Sequence, residues 1–184
     1  AGGGNFTKYT TTGLPSGGSS VAFGDFMANG TKSLFVGDSA FGQGVSSNNI
    51  FSYTLDATNH IMNLTKSASL PLGIFAQPQW SSVQQAGQTM THTIRALNFD
   101  FDNSGRASLV LVESLGGAPA TPLSAIQFLK NQGNGVFTDV TATTLVGWNY
   151  NSMASYNPQL IDVAGNGLLD IFLPVANGPG TVGS

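Results

Sequence analysis

FDFDNSGRASLVLV, Phe99 to Val112, is the stretch on which the reading of this chain turns. Asp100, Asp102 and Ser104 alternate, Gly105 follows, and a run of apolar strand formers comes next. Only 8% of the residues are charged, and the chain has nine acids in all. Two of those acids stand two positions apart, directly before a strand. Two explanations compete. The acids could hydrogen-bond the backbone of a polar turn. Alternatively, their oxygens could line a loop around a hard cation, because Ca²⁺ takes about six to eight oxygen ligands at ~2.3–2.6 Å.

The stretch has relatives within the chain. GDFMANGTKSLFVG (Gly24 to Gly37) places Asp25, Asn29 and Gly30 before Leu34-Phe35-Val36. IDVAGNGLLDIFLP (Ile161 to Pro174) places Asp162, Asn166, Gly167 and Asp170 before Ile171-Phe172-Leu173. Aligned on the glycine, the three read D-x-x-x-[NS]-G-x-x-[SD]-[LI], at intervals of roughly 60 to 75 residues. A second element recurs between them. GNFTKYTTTGLP (Gly4 to Pro15) is similar to GVFTDVTATTLV (Gly135 to Val146), with a looser copy at Ile61 to Pro71. Two of these copies follow hairpin patterns, at FSYTLDATNHIMNLT and QFLKNQGNGVFTDVT.

Outside these motifs, helical periodicity is nearly absent. Strands are expected at Ser33 to Val36, Ile50 to Leu55, His60 to Leu64, Ser108 to Val112, Ala125 to Leu129, Val136 to Val140 and Leu169 to Val175. Gly, Asn and Asp clusters separate them. Many short strands with turn residues between them indicate an all-β protein. The order is a G-x-F-T strand, a linker, a strand, an acidic loop, a strand and a hairpin. That order predicts β-propeller-type blades of four-stranded antiparallel sheets in an incomplete propeller of about three repeats. Residues 1–15 would be the last strand of a preceding blade, 16–72 and 73–147 two blades, and 148–184 a partial blade.

Composition excludes several classes of function. Six Lys and Arg and a net charge of −3 cannot build a phosphate-tracking groove, so nucleic acid is not an expected partner. No apolar run has the length of a membrane span. The absence of cysteine removes disulfide frameworks and thiolate metal sites. No signal peptide is visible at AGGGNFTKYT. Low charge with abundant Thr, Ser, Asn and Gly leans towards an extracellular or cell-surface location.

The three loops resemble the motif of the FG-GAP and VCBS repeat family, roughly F-x-D-x-N-G-D-G-x-x-D-[LIV]. Phe99 to Leu109 matches its first, third and glycine positions, and Asp162 to Ile171 its first and fifth positions, the glycine and the closing Asp. FLKNQGNGVFTDVT, Phe128 to Thr141, looks like the hairpin that follows the loop in that family. The resemblance covers most of the chain. It implies integrin-alpha-like propeller blades, Ca²⁺ in the loops, and surface, adhesive or carbohydrate-binding roles.

Candidate ligands follow from alternation around a tight loop, with glycine supplying the turn. In the first-quoted loop they are Asp100, Asp102, Ser104, the carbonyl of Arg106, and Ser108 weakly or through water. In the last loop they are Asp162, Asn166, the carbonyl of Leu168, and Asp170. The Asp25 loop keeps only Asp25, Asn29 and the Thr31 carbonyl, so its affinity should be lowest. Weak or partial occupancy is expected of loops this poor in carboxylates. Five of the eight Asp residues lie in these loops. Glu113 would pair with Asp102 as acid and base only if folding brings the two together.

His60 and His92 have no partner at metal spacing, and no G-x-S-x-G or H-E-x-x-H motif occurs. Trp80, Trp148 and Tyr150 lie in the linkers before successive acidic loops. Their rings suit either sugar stacking or packing between blades. The sequence thus leads to a non-catalytic, calcium-stabilised interaction module binding a glycan or protein at the cell surface. It would assemble with copies of itself or with the remaining blades of a longer chain. The alternatives are an accessory repeat region of a polysaccharide-active enzyme, or a structural building block of a surface layer or fibre.

Overall fold

The computed structural model describes residues 7–14, 18–38, 48–77, 91–115, 124–144 and 158–172. The described chain is mostly β, in two curled sheets that form a half-barrel and a separate two-stranded hairpin. Strands β2 (Gly18–Gly24), β3 (Ser33–Asp38), β4 (Asn49–Asp56) and β5 (Ile61–Ser69) run as an antiparallel meander. Strand β1 (Thr10–Thr12) joins its far edge parallel to β5, pairing Thr10 with Ile61 and Thr12 with Asn63. The first sheet therefore has five strands in the order β1-β5-β4-β3-β2 and is mixed, where the sequence leads one to expect four antiparallel strands. The opening strand extends this sheet instead of standing in a separate one.

The second sheet is a four-stranded antiparallel meander of β6 (Thr91–Asn98), β7 (Leu109–Leu115), β8 (Ser124–Gly133) and β9 (Val136–Asp139). A one-turn helix α1 (Thr141–Thr144) follows β9, where the strand expected at Val136 to Val140 ends. The cause is Asp139, whose Oδ1 accepts from both the backbone N–H and the hydroxyl of Thr141 and tightens the chain there. The third unit is the hairpin of β10 (Gln159–Ile161) and β11 (Asp170–Phe172). Both hairpin patterns form, β4–β5 around Asp56 to His60 and β8–β9 around Asn134-Gly135. Among the described residues no helix is long and apolar enough to cross a membrane.

Strand alternation explains the packing. On β7, Leu109 and Leu111 point to the first sheet and form a core with Phe26, Phe35, Ile50, Leu70, Leu129 and Phe137. Val110 and Val112 point the other way and pack with Ile126 and Phe128, against which Phe99, Phe101 and Ile171 lie. The central sheet is thus buried on both faces, and its sequence LVLV is continuously apolar for that reason. A third cluster, Leu34, Val36, Phe51 and Leu64, occupies the far face of the first sheet.

Close approach of β2 and β3 to β6 depends on glycine. A Cβ on Gly37 would overlap Ser20 Oγ and crowd Thr93. Asn98 Nδ2 closes the same seam by donating to the Phe23 carbonyl at 2.8 Å. Gly135, the glycine of the G-x-F-T motif, has φ +74° and sits against Met27 Sδ and Ala68. No other residue type meets both demands at low cost.

Candidate functional site

The three acidic loops share one backbone course. Each joins two antiparallel strands: β2 to β3, β6 to β7, and β10 to β11. In each, the residue three after the leading Asp and the glycine five after it have positive φ: Ala28 and Gly30, Asn103 and Gly105, Gly165 and Gly167. Asn and Gly tolerate that region readily; Ala28 does not and is held there by its surroundings.

The leading carboxylates set this geometry. Asp25 accepts from the N–H of Asn29 at 3.0 Å and of Gly30 at 2.7 Å. Asp100 accepts from Ser104 N–H at 3.0 Å and Gly105 N–H at 2.7 Å. Asp162 accepts from Asn166 N–H at 3.0 Å and Gly167 N–H at 2.7 Å. One oxygen of each carboxylate takes one amide, so each loop is closed by its own first residue. Asn29 and Asn166 add a second clasp, accepting at 2.9 Å from the N–H of Thr31 and Leu168 respectively.

The other candidate ligands divide. Asp170 turns back into its loop, its Oδ2 accepting from Val163 N–H at 3.1 Å. Ser104 stays at Asp100, its Oγ 3.4 Å from Asp100 Oδ1. Ser108 instead lies buried at the start of β7, where its Oγ accepts from Asn131 N–H on β8 at 3.1 Å. That bond engages the hydroxyl with β8, so Ser108 is the weakest candidate of the set. Asp102 meets the Lys130 ammonium of β8 at 2.7 Å, which holds its carboxyl below the usual carboxylate range against the opposing effect of burial. Its second oxygen, Oδ1, is buried with no hydrogen-bond partner. Among the described residues no group of three or more His, Cys, Asp or Glu side chains gathers around one point. A Ca²⁺ ion would therefore draw most of its oxygens from Ser, Asn, backbone carbonyls and water. The unpartnered Oδ1 of Asp102 fits such an ion; Met27 and Ala164, at the corresponding positions of the other loops, offer no oxygen.

Glu113 and Asp102 do not come together. Glu113 lies on the Leu109–Leu111 side of β7, whereas Lys130, which holds Asp102, shares the opposite face with Ile126 and Phe128. The chain's sole glutamate is fully buried between the two sheets, at 0% exposure. Its Oε2 accepts from the N–H of Ile74 at 2.5 Å, at the start of the 3-10 turn Ile74–Ala76. Its Oε1 lies 3.3 Å from Asn48 Nδ2 and 3.3 Å from Thr93 Oγ1. Burial pushes this carboxyl up to about 7, against the opposing effect of those contacts.

Beside it, Asp139 Oδ2 accepts from Gln127 Nε2 at 2.8 Å and Gln77 Nε2 at 2.6 Å. Burial raises the Asp139 carboxyl, but the bonds from Thr141, Gln127 and Gln77 outweigh burial and hold it low. The two amides also reach the Leu72 carbonyl, so the segment from Leu70 to Gln77, which leaves the first sheet after β5, is fastened to the second. Nothing in the local sequence marks this network, because its members come from six separate segments: Asn48, Leu72 to Gln77, Thr93, Glu113, Gln127, and Asp139 with Thr141.

Trp80, Trp148 and Tyr150 lie outside the described residues. No protein-family model, curated protein or solved structure matches this chain.

Proposed function

We propose that the chain is a non-catalytic, calcium-stabilised interaction module of the secreted or cell-surface kind, built of FG-GAP/VCBS-like propeller blades and binding a glycan or protein partner. The observation that carries this reading is the common course of the three loops, with matched positive-φ positions and matched carboxylate clamps. Two meanders that each carry such a loop between their first and second strands support the blade assignment. In the Asp100 loop, Asp100, Asp102, Ser104 and the Arg106 carbonyl would hold Ca²⁺. In the Asp162 loop, Asp162, Asn166, Asp170 and the Leu168 carbonyl would do so. The Asp25 loop, with Asp25, Asn29 and the Thr31 carbonyl, would bind most weakly. The ion would tie each loop's oxygens together and stiffen the strand junctions.

Thermal unfolding in excess Ca²⁺ and in EDTA tests the metal. Mass action stabilises the native state by about 2.7 kcal/mol at a hundredfold excess over the dissociation constant. We expect a higher Tm in Ca²⁺ than in EDTA, with no such gain from Mg²⁺. Identical melts would reduce the loops to metal-free turns and remove calcium from the function. Binding to an array of immobilised glycans, with and without Ca²⁺, tests the partner class.

A second reading, as a building block of a layer or fibre, draws on exposed apolar side chains at two places among the described residues. Val21 and Phe23 on β2 are 60% and 49% exposed, and Ile161 and Phe172 on the hairpin are 47% and 52% exposed.

A further inference from the structure

We propose that Glu113 is held in the folded protein as a neutral carboxylic acid, and that its ionisation is a pH-operated latch on the segment 70–77 joining the two sheets. The Thr93 hydroxyl has one proton to donate, and two oxygens lie in its reach: Asn48 Oδ1 at 2.9 Å and Glu113 Oε1 at 3.3 Å. The nearer, Asn48 Oδ1, cannot donate, so the Thr93 proton points mainly to it. A carboxylate Oε1 would then hold only the minor share of that proton, beside a second long contact from Asn48 Nδ2 at 3.3 Å.

A protonated Oε1 resolves the arrangement. Its O–H donates to Thr93 Oγ1, Thr93 donates to Asn48 Oδ1, and the amide N–H of Ile74 goes to Oε2. The hydroxyl oxygen keeps lone-pair capacity for Asn48 Nδ2 at 3.3 Å. Every contact then has one proton.

The surroundings favour the same state. Ile74, Phe75, Leu111 and Ala125 near Glu113 are all at most 3% exposed. The elements packed on it contribute Thr93 from β6, Asn48 from the start of β4, the Ile74 amide from the 3-10 turn, and Asp139 from β9. Asp139 is the charged group among them, and its negative charge opposes a second one. The carboxyl pushed up to about 7 agrees with this proton count.

Ionisation would place an anion beside Asp139 in an apolar core. The cheapest relief is to bring water to the carboxylate, and the segment in the way is the one whose Ile74 amide it holds. Raising the pH through neutrality would therefore loosen the join between the sheets while leaving each meander intact.

The test uses the intact protein carrying ¹³Cδ-labelled glutamate. With one glutamate in the chain, the side-chain carboxyl signal is single and already assigned. We expect its titration midpoint near neutrality. A midpoint in the ordinary glutamate range, about 4.3, would overturn the proposal. Hydrogen exchange at the Ile74 amide reads the latch: its protection factor should fall above the midpoint, and a factor constant through the titration would overturn the latch. Glu113→Gln, whose amide can donate to Thr93 and accept from Ile74, supplies a comparison by urea unfolding from pH 5 to 8.5. The wild-type folding constant should fall by roughly a hundredfold relative to the variant, since each unit of pKa shift is about tenfold. Parallel profiles would overturn the proposal. If the variant fails to fold, the carboxyl titration of the wild type still decides.

Discussion

At the scale of single residues, each acidic loop depends on one carboxylate. Asp100 takes two backbone amides that have no other acceptor within the loop's course. Replacing Asp100 with Ala leaves both to water and frees a loop that holds Asn103 at φ 53°. The expected cost is about 1–3 kcal/mol, the usual range for hydrogen bonds to a charged group, measured as a shift in urea midpoint. Asp100→Asn should recover part of that loss, because its amide oxygen can still accept one of the two bonds. If Asp100→Ala melts like the wild type, the clamp does not hold the loop. Asp100, Asp102 and the glycine were legible in the sequence as a turn or a cation loop, since both need oxygens at that spacing. The choice of Lys130 as the partner of Asp102 was not, because β8 lies more than twenty positions away and only pairing brings it close.

At the scale of elements, Asn131 joins two loops that belong to different sheets. Its Nδ2 donates to the Phe26 carbonyl at 3.1 Å, in the Asp25 loop, and to the Ala107 carbonyl at 2.9 Å, in the Asp100 loop. Its Oδ1 accepts from Gly133 N–H at 2.8 Å. The residue is fully buried, so Asn131→Ala would leave two carbonyls and an amide unsatisfied. The expected loss is about 2–4 kcal/mol, with weakened coupling between the sheets. Denaturation followed by two probes, one in each sheet, checks this; coincident transitions at an unchanged midpoint would count against it.

Strands β3, β4, β5, β7, β8, β9 and β11 were legible because apolar, β-branched and aromatic residues cluster between turn formers. Strands β2, β6 and β10 were expected only as unnamed partners of the loops. Their sequences, GSSVAFG, THTIRALN and QLI, are short or polar, and neighbours rather than local pattern hold them extended. Glu113 was hidden for a related reason. On a strand covered on both faces, inward and outward lose their meaning, and the groups that receive its carboxyl come from segments far away in sequence.

At the scale of the whole molecule, titration should give a stability maximum in mildly acidic solution. Asp102 and Asp139 have lowered values in the folded state. Their contribution is present above the unfolded value of 3.8 and is lost as the pH falls through their folded values. Glu113 behaves oppositely: its contribution is full below its ordinary 4.5 and is lost as the pH rises to about 7. The maximum should lie at about pH 4 to 5, with a decline of about 3 kcal/mol towards neutral pH from Glu113. Urea midpoints across pH 3 to 9 check this, and a maximum at neutral pH would contradict it. The exposed apolar side chains make a second prediction at this scale. Sedimentation should show concentration-dependent association, reduced by Phe23→Ser with Phe172→Ser. A mass independent of concentration would argue against self-stacking.

The way the loops close has a consequence for how such a chain can change. Because the leading Asp and the glycine recur with the same clamp in all three loops, the loop course is kept while the residues two and eight positions after that Asp differ. Met27, Asp102 and Ala164 already sample the first of these; Ser33, Ser108 and Asp170 sample the second. If the proposed Ca²⁺ binds, form and ion affinity are therefore separately heritable. A lineage could then lose such an ion one loop at a time and keep its architecture, and a protein engineer could restore it in the same piecemeal way.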